Sequence, residues 1–363
     1  MINDFKTLPW KFNFEDIDLI KQVNKTNIAL WKLNWASLTL PNSKVLIDFI
    51  TMKEWVKSNA IENIHTTVAD AFASEIIWKD LASFENKETL NYKEAIITWF
   101  ERLKKYWWVW YNDILEINKI ITWNNQWVYS SPEKCIEKWE WKNKEVIYTP
   151  PQWLENIKNL LKNYEEYFND FNEEKEIDPL LKLPLLHYQF EAIHPFWDWN
   201  WRTWRVLIIL FLVLYKKLTL PILFISDFIN IKKDEYYSFL NILDTKKEEK
   251  LKEFTLWLLK WIEEYSIKTE ETILEILRLQ KEYKKIFKED KDLYNFYSKD
   301  LIDYLFMRPI YSIEGLLKYL PQINSRQTAS KYLRIMKEKW LIAEYRYKNN
   351  KFFFNGKYLD LLK

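Results

Sequence analysis

Between positions 194 and 205 the chain reads HPFWDWNWRTWR, and its polar letters form a set suited to phosphate chemistry. His194 is the nearby group that titrates close to neutrality, which suits a general base acting on an incoming hydroxyl. Asp198 offers hard carboxylate oxygens of the kind that hold Mg²⁺ bridging two phosphates. Arg202 and Arg205 stand three apart, on one face of a helix's first turn, where both guanidiniums can reach phosphate oxygens. Only 8 of the 54 basic residues are arginine, so two within four positions is a local concentration. Each residue alone has an ordinary explanation: a core histidine, a solvated carboxylate, a surface arginine. The combination is what points to chemistry.

The flanking segments must position these groups. DPLLKLPLLHYQFEAI at 178–193 has helical apolar spacing, and RTWRVLIILFLVLYKKL at 202–218 reads as a second helix. The motif is therefore a loop feeding a helix N-terminus, where successive backbone N–H groups and the helix dipole favour an anion. The run VLIILFLVLY at 206–215 is too short to span a bilayer and is followed by Lys216 and Lys217, so it is expected as a buried helix. His187 lies inside the first helix and is read as structural; His65 is not expected to be catalytic either.

A length of 363 residues with 48% hydrophobic content supports two or three packed domains rather than disorder. Net charge is +2, so whole-chain charge implies no nucleic-acid or acidic partner. The single cysteine, Cys135, excludes an internal disulfide and a cysteine-cluster metal site, and suits a reducing cytoplasm. The opening MINDFKTLPW lacks the basic start and apolar run of a cleavable signal. Neither a membrane partner nor a location outside the cytoplasm is expected.

One composition is abnormal. The chain has 2 glycines and 21 tryptophans, together 23, whereas an ordinary glycine share of about 7% would give roughly 25. Glycine permits positive φ and close backbone approach at turns and helix ends, and a fold this long needs many such places. Most of the Trp letters are therefore read as codons that the organism decodes as glycine, as some bacterial lineages decode UGA. The alternative is a chain that is truly rich in tryptophan.

With glycine restored, 194–205 becomes HPFGDGNGRTGR, which resembles the Fic family signature HPFxDGNGRxxR at every defined position. As written, the letters depart from it at Trp199 and Trp201, where indoles would block a phosphate site. The resemblance implies a mainly α fold: a Fic helical core with a small β-hairpin flap, an N-terminal helical region and a C-terminal winged helix-turn-helix. It also implies protein adenylyltransfer (AMPylation), with AMP passing from ATP to a Ser, Thr or Tyr hydroxyl of a target protein or of the chain itself. By the same resemblance His194 is catalytic, and Trp199, Asn200, Trp201, Arg202 and Arg205 bind the nucleotide. Asp198 holds Mg²⁺.

Other segments extend the likeness. SNAIEN at 58–63 fits (S/T)xxxE(G/N), the family's inhibitory helix motif, with Ser58, Glu62 and Asn63 at the specified positions. The resemblance pairs Glu62 with Arg205, and a carboxylate competing with phosphate for one guanidinium is electrostatically sensible. IALWKLNWASLTLPN at 28–42 looks like the family's N-terminal region. EVIYTPPQW at 145–153 looks like the end of the flap, which aligns a target segment by strand pairing. KKDEYY at 232–237 resembles a position near the nucleotide base, where Tyr236 or Tyr237 would stack; an aromatic at helical spacing serves equally well as core.

The organisation expected is residues 1–95 as the N-terminal helical region with the inhibitory motif, 96–265 as the catalytic core, 266–300 as a helical linker and 301–363 as the winged helix-turn-helix. The segment 262–292 reads as one long charged helix. Residues 325–351 hold eight basic and two acidic side chains, so 325–339 is placed for a major groove, although such domains also dock proteins. Three readings compete with AMP transfer: a winged-helix DNA-binding regulator with a degenerate Fic core, removal of AMP from modified protein, and transfer of another nucleotide or a phosphoryl group. The target, the base and the oligomeric state, a homodimer included, stay open.

Overall fold

The computed structural model describes residues 7–10, 12–39, 47, 84–122, 136–140, 143–171, 177–223, 231–243, 248–307, 310–347 and 350–361. Helices dominate it, and the chain divides into two compact units: 1–31 with 90–221 and 228–264, and 32–89 with 222–227 and 265–363. The mainly α architecture with a small β-hairpin is as the sequence implied.

The first unit is built around one helix. α1 spans Ile17–Leu38, α2 Phe84–Tyr106, α3 Tyr111–Thr122, α4 Leu154–Phe168, α5 Leu183–Ile193 and α6 Asn200–Leu214. From Arg202 to Leu214 every residue of α6 is buried. A helix apolar on all sides has no face for water and must be surrounded, so α6 is the centre of the unit, with α3 and α5 against it. Among the described residues no helix is long and apolar enough to cross a membrane. α7 spans Lys233–Leu243, and the long α8, Glu248–Glu289, begins well before the expected 262–292. The reason is local: EEKLKEFTLWLLKWIEE has no proline to stop a helix and keeps the amphipathic spacing. α1 lies on the first part of α8 through Thr26, whose hydroxyl donates to the Leu259 carbonyl (3.0 Å), and Gln22, whose amide donates to Glu263 (2.6 Å).

The hairpin is where the sequence placed it. β1, Ile136–Glu140, and β2, Asn143–Tyr148, are antiparallel, with Glu140 opposite Asn143 and a bulge between Ile136 and Glu137.

The second unit takes the rest of α8, then α9 (Lys291–Tyr294), α10 (Lys299–Met307), β3 (Ile310–Tyr311), α11 (Ile313–Tyr319), α12 (Arg326–Glu338), β4 (Ala343–Tyr347), β5 (Asn350–Phe354) and α13 (Gly356–Asp360). The strands form an antiparallel sheet in the order β3-β5-β4. Both α11 and α12 start at serine caps, Ser312 and Ser325, whose hydroxyls accept from the N–H groups of Gly315 and Thr328. α12 buries Ala329, Leu333 and Met336 and leaves its other face to solvent.

Six non-glycine residues among those described take positive φ: Trp107, Trp153, His194, Trp199, Lys216 and Trp340. Four of the six are written as tryptophan, and neither glycine adopts such a φ. The left-handed region costs a residue with a Cβ about 1–2 kcal/mol and costs glycine almost nothing. Trp340, at φ 59° just past α12, is 93% exposed, and Trp153, at φ 74° before α4, is 66% exposed. An indole at these points accepts both an unfavourable backbone and contact with water.

Candidate active site

α5 ends because His194 turns left-handed (φ 47°, ψ 56°) and Pro195 cannot continue a helix. The His194 N–H still closes on the Phe190 carbonyl at 2.9 Å, which fixes the catalytic candidate to the helix end. Five residues later Trp199 is left-handed again (φ 68°, ψ 18°) and α6 begins. Asn200 straps the loop between them. Its Oδ1 accepts from the Phe196 N–H at 2.9 Å, and its Nδ2 donates to the Phe196 carbonyl at 2.8 Å. Phe196 is buried beneath. The side chain of Asn200 is thus occupied in holding the loop.

A second clamp comes from α3, where Asn118 Nδ2 donates to Thr203 Oγ1 (3.0 Å) and to the Asp198 carbonyl (3.4 Å). Thr203 in turn donates to the Trp199 carbonyl (3.1 Å). Asn118 was not singled out in the sequence, yet a signal was there. It falls on the buried face of α3 with Ile114, Ile117 and Ile121, a polar intruder in an apolar stripe.

Arg202 and Arg205 are both 0% exposed. The Arg202 guanidinium lies 3.3 Å from the Trp199 ring centre, and that of Arg205 lies 3.8 Å from Trp201. The two indoles therefore sit on the cations that the motif would present to phosphate. Glu191, one turn before His194, is partly exposed with its Oε1 buried. Burial pushes its carboxyl up to about 8, against the pull of Arg205, so near neutrality it is largely uncharged. Asp198 is exposed and His194 half-buried, at opposite ends of the loop.

The tyrosines expected near the base separate. Tyr236 is buried, its hydroxyl 2.9 Å from His187 Nε2 and its ring stacked toward His187 and Trp257, which is a core role; Tyr237 beside it is exposed. His187 is held near 3 by complete burial, so it is a neutral structural residue. Ser58, Glu62 and Asn63 lie outside the described residues.

Residues 108–212 match the Fic/DOC family, and 20–101 match the Fic/DOC family N-terminal region. Residues 279–358 match the C-terminal domain described as protein adenylyltransferase SoFic-like. Among solved structures the chain resembles a Fic family protein from Desulfovibrio desulfuricans at 18% identity and TM-score 0.55, covering 96% of this chain and 98% of that one. It also resembles Fic-1 from C. elegans (16%, TM-score 0.51, 70% and 71% covered). A Fic domain containing signaling protein from Bacteroides thetaiotaomicron gives 16%, TM-score 0.54, and 70% and 98% covered. The chain carries Fic/DOC domains, and the strapped loop with both arginines lies wholly inside the matched core.

Proposed function

We propose that this chain, with its Fic/DOC core and adenylyltransferase-like C-terminal domain, moves AMP from ATP to a protein hydroxyl. The observation that carries the reading is the loop 194–205, which sets a histidine at one helix end and two arginines at the next helix's tip, with its shape fixed by Asn200 and Asn118. His194 takes the proton of a Ser, Thr or Tyr hydroxyl; the freed oxygen bonds to the α-phosphorus, and the α–β anhydride bond breaks to release pyrophosphate. Arg202, Arg205 and the backbone N–H groups of the helix tip offset the charge that develops on the phosphates. Mg²⁺ would be held by Asp198 and neutralise phosphate charge. The carboxylate fits that ion, being a hard oxygen donor, exposed, on a loop whose backbone Asn118 fixes. With Tyr236 buried, the exposed Tyr237 is the tyrosine this reading assigns to a base.

The reading includes glycine in the native protein at 199 and 201. The cluster of tryptophan letters at positive φ supports it, since Trp199 needs a left-handed backbone where Cβ is unfavourable. Peptide mass spectrometry of the native protein decides it, because each exchange shifts a mass by a fixed amount. Glu62 acts as a brake by pairing with Arg205.

The test is label incorporation from α-labelled ATP into the chain expressed with glycine at those codons. Glu62→Gly is expected to raise it at least tenfold and His194→Ala to abolish it. Equal labelling in parent and Glu62→Gly would remove the brake, and labelling that survives His194→Ala would remove the mechanism.

A second reading concerns the other unit. Arg326, Lys331 and Arg334 lie on the exposed face of α12 with Gln327 and Ser330, which supports contact with a DNA backbone. Such binding would weaken steeply with salt and ignore His194→Ala.

A further inference from the structure

We propose that Tyr148 is a positioning residue that ties the β1–β2 hairpin to the backbone carrying His194. The inference rests on the transfer reading above and adds a part to it.

A helix that stops leaves its last carbonyls without helical partners. At the end of α5 the left-handed turn sends the chain away, and the Phe196 N–H, which a continued helix would bring to Ala192, is bonded to Asn200 Oδ1 instead. The Ala192 carbonyl is filled from elsewhere. Tyr148, the last residue of β2, donates its hydroxyl to that carbonyl at 2.8 Å across 44 positions of sequence. Ala192 stands two residues before His194, so the bond joins the hairpin's root to the helix end that holds the base.

The segment after Tyr148 stiffens the same root. Pro150 and Pro151 are both buried, each with φ fixed by its ring, and Gln152 Nε2 donates to the Pro150 carbonyl at 2.6 Å before α4 begins. At the point where this root meets α5, the Tyr148 hydroxyl supplies a bond between the two. Phenylalanine would keep the ring and lose the hydroxyl that makes the tether.

The consequence is a division of labour. In the transfer reading ATP is held by the helix tip, and the hairpin, by the family resemblance, sets the direction from which a protein hydroxyl approaches. Loss of the tether should spare the first and impair the second. In the Glu62→Gly chain, Tyr148→Phe is expected to leave KM for ATP within twofold. The ratio of protein-bound AMP to AMP released by water attack is expected to fall roughly five- to tenfold, the scale of one positioning hydrogen bond. An unchanged ratio, or a KM that rises in step with the fall, would overturn the proposal. Amide hydrogen exchange over 136–148, measured without nucleotide, tests the tether independently of activity. Faster exchange there in Tyr148→Phe, with α6 unchanged, supports it, and identical exchange in both proteins overturns it. A parent that forms no AMP adduct would sink the transfer reading and leave the tether to be decided by exchange alone.

Discussion

The molecule carries two sets of closely spaced cations on helices, and they live in opposite surroundings. Arg202 and Arg205 on α6 are fully buried, placed by a loop that two asparagines hold. Arg326 and Arg334 on α12 have side chains 69% and 70% exposed, each beside a glutamate that is also in water, Glu314 at 2.8 Å and Glu338 at 3.7 Å. Burial makes a charge strong and costly, because no water screens it and none replaces a lost partner. Exposure makes it weak, adjustable and salt-dependent. The first pair suits a fixed ligand, as the transfer reading proposes, and the second a screened surface.

That contrast is tested most severely at Arg205. Arg205→Ala should lower AMP incorporation about 100-fold or more, since it removes a preorganised cation from the helix tip where the phosphates would lie. Loss of less than about threefold, measured in the Glu62→Gly background, would put Arg205 on the same footing as the surface pair. Next comes the clamp. Asn118→Ala removes two hydrogen bonds at a buried position and is expected to cost about 1–3 kcal/mol in denaturant unfolding, with a transfer rate several-fold lower at unchanged unfolding slope; an unaltered midpoint would show the loop to be held without it.

Glu191 gives a smaller, pH-dependent effect. Its carboxyl is raised in the folded state to about 8 from an ordinary 4.5, so the folded chain binds the extra proton between those values. Stability is then lost as pH rises through that window. Glu191→Gln cannot ionise and is expected to be more stable than the parent at pH 8, by a few kcal/mol at most, with the gap closing toward pH 5. Thermal unfolding at the two pH values checks the sign, and a gap that widens at low pH would contradict it. The smallest effect belongs to α12. Arg334→Ala should change stability by less than about 0.5 kcal/mol, and any DNA complex should lose roughly one from its salt slope. A large loss of stability would mean that this face is packed rather than solvated.

These regions were not equally readable from the letters. The loop 194–205 and the buried helix after it follow from types and spacing within a dozen residues, whereas the hairpin before Pro150 was an expectation of the family resemblance. The start of α8 at Glu248 was missed because the charged pattern read from 262 onward gives way upstream to a more apolar stretch with Trp257 and Trp261, which only packing keeps helical. Tyr236 offered an aromatic at a plausible distance from the motif, and only packing turned it inward onto His187.

Local chemistry marked which residues could form a phosphate-handling set and which segments are helices, because periodicity, caps and turn residues act over one or two turns. It also exposed the shortage of glycine, a matter of composition alone. Folding settled the rest: that Asn118 holds the loop from 80 residues away, that Tyr148 reaches the end of α5 across 44, and that Glu191 loses its charge beside Arg205. Those outcomes depend on which surfaces exclude water together, and that is fixed only when distant helices pack.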